Sequence, residues 1–400
     1  MFENIIGHSE VIAQIRKEIE NKSFPSSVLI SGPLYCGKQT IALEAARALT
    51  CSENGSWNCK CESCRLHRVL SHPSTLLIGS DFFIPEIETV KKILERKKEP
   101  VSCFLFIRGV RKLLRRLDPV LVEENDARYK KISASVTAAE EMLTEFDPEY
   151  SHLTKEIDMK KAENIVDYCK NIVRDYNFSN ITVDQIRKAG YWVRFSGYGS
   201  KKVIIIENAD GMNESCRNAL LKILEEPPEN TFFILLTRRP GEIIPTLKSR
   251  LRKYELKERS AAENRNVIEK IFREESGIFT DLKNYLSSSS PVTEMIKKAG
   301  RQFFIDLFDN DRNERGYGHD VRAILKSQYY EYFPDFLDEL LKLSGELLKS
   351  GEFIEKSPEN LILLNNLGRL VNNCYRGYET LNINPELLAE SMFLELKSKI

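Results

Sequence analysis

The sequence carries no net charge: 59 lysines and arginines stand against 59 aspartates and glutamates. Without a global basic field there is no long-range pull on nucleic acid, so any such contact is local or shared with partners. There is no uninterrupted apolar run of about 18 residues, which argues against a membrane-spanning helix. The opening Met1-Phe2-Glu3-Asn4-Ile5-Ile6-Gly7 lacks the basic start and apolar stretch of a secretory signal, so a cytoplasmic location is expected. No internal repeat is found. What is present is an ordinary globular composition, 42% hydrophobic over 400 residues, sufficient for two or three domains. Nine cysteines are many for a compartment that keeps thiols reduced, and four of them fall between Cys51 and Cys64.

Helix and strand alternate in two stretches. Val11 to Ile19 has a helical apolar face, Ser27-Val28-Leu29-Ile30-Ser31 reads as a buried strand, and Thr40 to Leu49 as an alanine-rich helix. From Ile181 onward, Val183 to Val193 reads as a helix and Val203 to Ile206 as a buried strand. Asn213 caps a helix that Pro227-Pro228 terminate, and Phe232 to Thr237 reads as a third strand. This alternation predicts an α/β fold with a parallel sheet and right-handed crossovers. Between the two stretches, roughly Phe82 to Ser179, the sequence is charge-rich and nearly free of glycine. It carries apolar stripes at Cys103, Phe106, Val110, Leu113, Leu114, Leu117 and at Ile165, Cys169, Ile172, Val173, Tyr176. Two long helices joined near Asp118-Pro119 or Asp147-Pro148 would form an inserted hairpin, either a peripheral decoration or a partner-docking arm. Ala261 to Glu275 and Leu282 to Lys298 suggest a small helical lid, and Phe303 to Ile400 a helical bundle.

Gly32-Pro33-Leu34-Tyr35-Cys36-Gly37-Lys38 satisfies the phosphate-loop pattern between a strand and a helix. Its glycines let backbone N–H groups turn toward a phosphate, and Lys38 adds a charge. The hydroxyl that should follow the lysine and bind magnesium is replaced by Gln39, with Thr40 one place late. Magnesium also needs a carboxylate at a nearby strand end, and Glu207 follows the second buried strand. Asn208, where a water-activating glutamate is expected, has no basic carboxylate. Asp210 either substitutes two residues away or caps its loop. Two losses from separate segments strike the same chemistry, which predicts a site that holds nucleotide with little cleavage.

The stretches Ile5-Ile6-Gly7-His8, the loop through Lys38, and Asn218-Ala219-Leu220-Leu221-Lys222-Ile223-Leu224-Glu225-Glu226-Pro227-Pro228 closely resemble bacterial DNA polymerase III clamp-loader subunits of the gamma/tau and delta-prime kind. Glu207-Asn208-Ala209-Asp210 with Met212 is similar to delta-prime, where the acidic pair of the gamma motor is degraded. The resemblance covers about Met1 to Ser80 and Asn180 to Leu256 well. It implies an AAA+ domain at 1–81 and 180–257, a zinc module at 51–64 within it, a lid at 258–300 and a collar at 301–400. The insertion at 82–179 lies outside it.

By that resemblance the chain joins gamma/tau and delta in a five-subunit ring acting on the sliding clamp and primed DNA. It would be a non-catalytic member, with a gamma/tau-like active ATPase as the alternative. The resemblance also implies an arginine finger acting in trans, and Arg250 of Ser249-Arg250-Leu251 stands where the family has Ser-Arg-Cys. Nucleotide would contact Gly32, Gly37, Lys38, Gln39, Thr40, Glu207 and the first-sensor residue Thr237, leaving ATP or ADP bound without turnover. In the second-sensor segment Ser289-Ser290-Pro291-Val292, Val292 falls where an arginine belongs. Zn(2+) would sit among Cys51, Cys59, Cys61 and Cys64. Cys61-x-x-Cys64 is a proper knuckle, but Cys59-Lys60-Cys61 has one intervening residue where the family has two, and His67 could replace one cysteine.

Overall fold

Each central strand sends alternate side chains to opposite faces of one sheet, which is why these segments read as unbroken apolar runs. In the computed structural model, β1 (Ser27–Ser31), β2 (Thr75–Ile78), β3 (Lys202–Ile206), β4 (Thr231–Thr237) and β5 (Arg252–Glu255) pair in parallel. Their order is β2-β3-β4-β1-β5. The structure describes residues 1–79, 83–123, 125–148, 157–176, 178, 181–195, 201–275, 277, 279, 281–289, 291–308, 317–325, 332–350, 358–379 and 383–398. One face carries Leu29, Leu76, Ile78, Ile204, Ile206, Phe233 and Leu235. The other carries Val28, Ile30, Leu77, Val203, Ile205, Ile234 and Leu236, with α1 (Ser9–Glu20) and α2 (Lys38–Thr50) packed on it through Ile15, Ile41, Ala42 and Ala45. β2 and β5 had no counterpart among the strands expected from the sequence.

Between β2 and β3, the stretch read as a two-helix hairpin contains four helices among the described residues, and the separately expected helix from Val183 follows it. They are α4 (Phe83–Lys97), α5 (Pro100–Leu114), α6 (Ala127–Leu143), α7 (Met159–Asp175) and α8 (Val183–Phe195); α3 (Glu62–Arg68) precedes them. The expected bounds Phe82 and Ser179 lie outside the described residues. The extra breaks have a physical cause: Pro100 opens α5 as its first residue, and the residues before Pro119 and Pro148 are driven out of helical geometry. Nor are these helices peripheral. Cys103, Phe106, Val110, Leu113, Ile165, Cys169 and Ile172 are buried in the same core as the β2, β3 and β4 face. The insertion is therefore a continuation of the sheet's own hydrophobic layer.

After β3 comes α9 (Glu214–Glu225), whose N-cap Asn213 accepts a hydrogen bond from the Cys216 N–H at 2.9 Å, as expected of that residue. Then follow α10 (Pro245–Lys248) and α11 (Ala261–Lys270). Val267, Ile268, Leu282 and Tyr285 form a small separate core between α11 and α12 (Leu282–Ser289).

The chain divides into two compact units, Met1–Leu286 and Ser287–Ile400. The expected helix over Leu282 to Lys298 is two helices, because proline heads the second, α13 (Pro291–Phe308). α13 runs through residue 300, and its Phe303 packs edge-on against Phe336 at 6.1 Å and Phe393 at 5.3 Å. Those rings belong to α15 (Phe333–Ser350) and α17 (Pro385–Lys397); α14 (His319–Ile324) and α16 (Pro358–Glu379) complete the unit. Among the described residues, no helix is long and apolar enough to cross a membrane.

Candidate nucleotide site and cysteine cluster

The glycine-rich loop joins β1 to α2, and its geometry depends on Gly37. This residue sits at φ 99°, a left-handed conformation open to glycine, and a Cβ there would lie 2.4 Å from Arg259 Nη2. The loop carbonyls are held by cations and by a ring N–H. Lys38 Nζ donates to Gly32 O and Pro33 O, both at 2.6 Å. Arg259 Nη1 donates to Tyr35 O at 2.6 Å, and His8 Nε2 lies 2.8 Å from Cys36 O. Burial, with the nearby Arg259 charge, lowers the His8 pKa, so the ring is neutral and holds its carbonyl as an N–H donor. Arg259 and His8 carried no signal in the phosphate-loop pattern, since both lie outside it.

At the end of β3, Glu207 is buried, 7% exposed at its side chain, and both carboxylate oxygens are engaged. Gln39 Nε2 donates to Oε1 at 2.6 Å. Arg116, from the short 3-10 turn Arg115–Leu117 after α5, donates to Oε2. The approach is close because β2 is followed by Gly79, at φ 107°, where a Cβ would lie 2.5 Å from Glu207 O. Asn208 follows at φ 48°. Thr40 is exposed on the first turn of α2, so Gln39 and not Thr40 is brought to Glu207. Thr237, at the end of β4, donates from Oγ1 to Asp210 Oδ1 at 2.6 Å, and Arg239 Nε holds Asp210 Oδ2 at 3.1 Å. Asp210 thus links Thr237 and Arg239.

Arg250 follows α10. Its Nη2 pairs with Glu225 Oε1 at 2.9 Å and its Nη1 donates to Thr246 O at 2.9 Å; the side chain is 34% exposed. Val292 is a buried apolar residue of α13 in the second unit, and Ser290 lies outside the described residues.

The four expected cysteines do converge. Cys51 ends α2, Cys61 caps α3, and Cys64 lies in its first turn, so helix ends fix three of them. All four sulfurs lie within 4.8 Å of one another. Cys51 Sγ stands 3.7 Å from both Cys59 Sγ and Cys61 Sγ. A tetrahedral zinc with Zn–S of about 2.3 Å requires sulfur separations of about 3.8 Å, so the single-residue spacing of Cys59 and Cys61 does not prevent chelation. Backbone N–H groups of Glu53 and Gly55 point at Cys51 Sγ at 3.4 and 3.3 Å. Burial acts to raise the Cys61 pKa, but hydrogen bonds from Ser52 and from the Cys64 amide bring the thiol down to about 6, favouring the thiolate a metal needs.

Arg47, unremarked in the sequence, braces this cluster. It donates to Cys64 Sγ at 2.9 Å, to Gly55 O at 2.8 Å and to Ser56 O at 3.1 Å, while Glu44 takes its other side at 2.7 and 2.9 Å. His67 is not a member: it is buried against Thr50 at 2.7 Å and stacks on His72 at 4.2 Å. These residues can hold a metal ion.

A five-stranded parallel sheet in this order, with the glycine-rich loop after β1 and an acidic residue after β3, makes an α/β domain, here accompanied by helical regions. The chain belongs to the family described as DNA polymerase III, delta subunit, whose profile matches residues 7–102 and 122–260, more than half the sequence. The interval the profile skips, 103–121, contains Arg116.

Among curated relatives, the DNA polymerase III subunit delta' of Pseudomonas aeruginosa is 44% identical over 71 residues, 18% of this chain and 22% of that protein. The delta' subunit of Escherichia coli is 46% identical over 54 residues, 14% and 16% of the two chains. The tau subunit of Bacillus subtilis is 41% identical over 80 residues, 20% and 14%. The matched segments thus span about a fifth of the length of the first of these relatives and less of the others. A solved gamma subunit-related protein from Thermotoga maritima aligns over 97% of this chain and 99% of its own, at 13% identity and a TM-score of 0.40.

Proposed function

We propose that the chain is a delta-prime-like subunit of a bacterial clamp loader, acting in the cytoplasm to help place the sliding clamp on primed DNA. It retains ATP or ADP without turnover and lends Arg250 to the ATP of a neighbouring gamma/tau subunit. The observation that carries this reading is the closed network Gln39–Glu207–Arg116. Hydrolysis needs a metal-bound phosphate and a base to orient water, yet the strand-end carboxylate is occupied on both oxygens and the next residue is an amide. Those features favour the passive role over a gamma/tau-like motor, while Arg250 keeps the charge that a finger requires. The test is assembly. Mixed with gamma/tau and delta subunits, the chain is expected to co-migrate as one complex whose DNA-stimulated ATP turnover depends on its presence. Separate migration would contradict the proposal.

Zinc among Cys51, Cys59, Cys61 and Cys64 is a structural part of the same reading, since the tetrahedral spacing and the N–H···S donors suit a thiolate-bound metal with no open position. Freshly purified, reduced protein is expected to contain about one equivalent of zinc, and Cys61→Ser to lose it together with several degrees of melting temperature. Metal analysis finding far less than one equivalent in the unmodified chain would refute the assignment.

A further inference from the structure

Arg116 is only 1% exposed although its charge is permanent, so it needs partners on every side. It has them. Nε donates to Gly79 O at 2.8 Å, Nη1 to Lys112 O and Nη2 to Glu207 Oε2, and the guanidinium carbon lies 4.6 Å from the Phe83 ring centroid. The guanidinium therefore bridges the ends of β2 and β3 beside the glycine-rich loop. It comes from the stretch that the family profile skips.

Magnesium is the ion a loop of this kind ordinarily uses, and these residues do not fit it. Magnesium demands oxygen ligands at about 2.0–2.1 Å in near-octahedral array. Here the acidic residue that would help hold it shares one oxygen with a buried cation and the other with the Gln39 amide. A divalent ion would have to displace a guanidinium whose other donors are already committed, against charge repulsion.

We infer that Arg116 is the resident cation of this site, standing in for the divalent metal, so that a nucleoside di- or triphosphate binds with an affinity independent of magnesium. In an ordinary loop of this class the metal separates the phosphate charge from the strand-end carboxylate. Here Glu207 is already neutralised by a cation fixed in the chain, and Lys38 remains to face the phosphate once it leaves Gly32 O and Pro33 O. The insertion's contribution to the site is that one charge. This inference rests on the retention of nucleotide proposed above.

The test is titration of the full-length chain with ADP carrying a fluorescent N-methylanthraniloyl label, in excess EDTA and in excess magnesium. For the unmodified chain the two dissociation constants are expected to agree within about threefold. Arg116→Gln keeps a hydrogen-bond donor for Glu207 but removes the charge, and its affinity is expected to tighten about tenfold on adding magnesium. Tightening of about tenfold in the unmodified chain, or a folded Arg116→Gln variant indifferent to magnesium, would overturn the inference and leave the passive role standing. Absence of binding in both buffers would overturn it together with nucleotide retention. ATP turnover by the lone chain, by contrast, would remove the passive role while the comparison of EDTA and magnesium still decides the place of Arg116.

Discussion

In the assembled complex, Arg250→Ala is expected to lower ATP turnover by about 10³-fold or more, the range seen when a finger guanidinium is withdrawn from phosphoryl transfer, equivalent to about 4 kcal/mol or more of barrier. The local structure suits this role. Leu247 and Leu251 are buried on either side of Arg250, which anchors the turn while leaving the arginine itself accessible. Its present partner, Glu225, is 54% exposed, and an ion pair so open to water contributes only about 0–1 kcal/mol. Releasing it to reach a neighbour's phosphate therefore costs little. Arg250→Lys is expected to recover only part of the activity, since an ammonium cannot reproduce the planar fork of donors. Sizing of the mutant complex should show unchanged assembly. Undiminished turnover in the Arg250→Ala complex would remove this residue from the mechanism.

Arg116→Met is expected to destabilise the chain by about 3–5 kcal/mol, because it removes the cation that faces the buried Glu207 carboxylate. The double variant Arg116→Met/Glu207→Gln should recover most of that loss, since no uncompensated charge remains, and the interaction term of the cycle isolates the pair. Urea unfolding of the four proteins measures both quantities. A loss below about 1 kcal/mol in the single variant would mean that water reaches Glu207 and that the network is not closed. The two variants also separate fold from ligand. The double variant restores stability without restoring a metal-binding carboxylate.

Much of the α/β domain was readable from the sequence because the central strands are buried on both faces. Val203-Ile204-Ile205-Ile206 and Phe232 to Thr237 could hardly be placed elsewhere. β5 was not readable: of Arg252-Lys253-Tyr254-Glu255 only Tyr254 is buried, as befits a strand at the sheet edge. The insertion was half readable. Its apolar stripes at Cys103 to Leu117 and Ile165 to Tyr176 are the buried faces of α5 and α7, but periodicity does not say what a face packs against, and here the answer is the sheet itself. The cysteine cluster was readable because soft ligands in close sequence have few other uses.

Arg116 went unread, though Arg115-Arg116 interrupts an apolar stripe between Leu114 and Leu117, an arrangement that asks for a buried anion. Its partner lies 91 residues away, and only the fold joins them. Gln39 and Glu207 were both singled out, but separately, Gln39 as a lost hydroxyl and Glu207 as a candidate metal ligand. Their 2.6 Å contact joins them in one hydrogen-bonded network.

The measurement that bears most directly on that network is ATP hydrolysis by the purified chain alone, with magnesium, beside Lys38→Ala. The two proteins are predicted to release phosphate at the same background rate, since under the proposed passive role neither assembles a metal, a base and a γ-phosphate around Glu207 and Asn208. Turnover at about 1 s⁻¹ or faster, abolished by Lys38→Ala, would contradict the account.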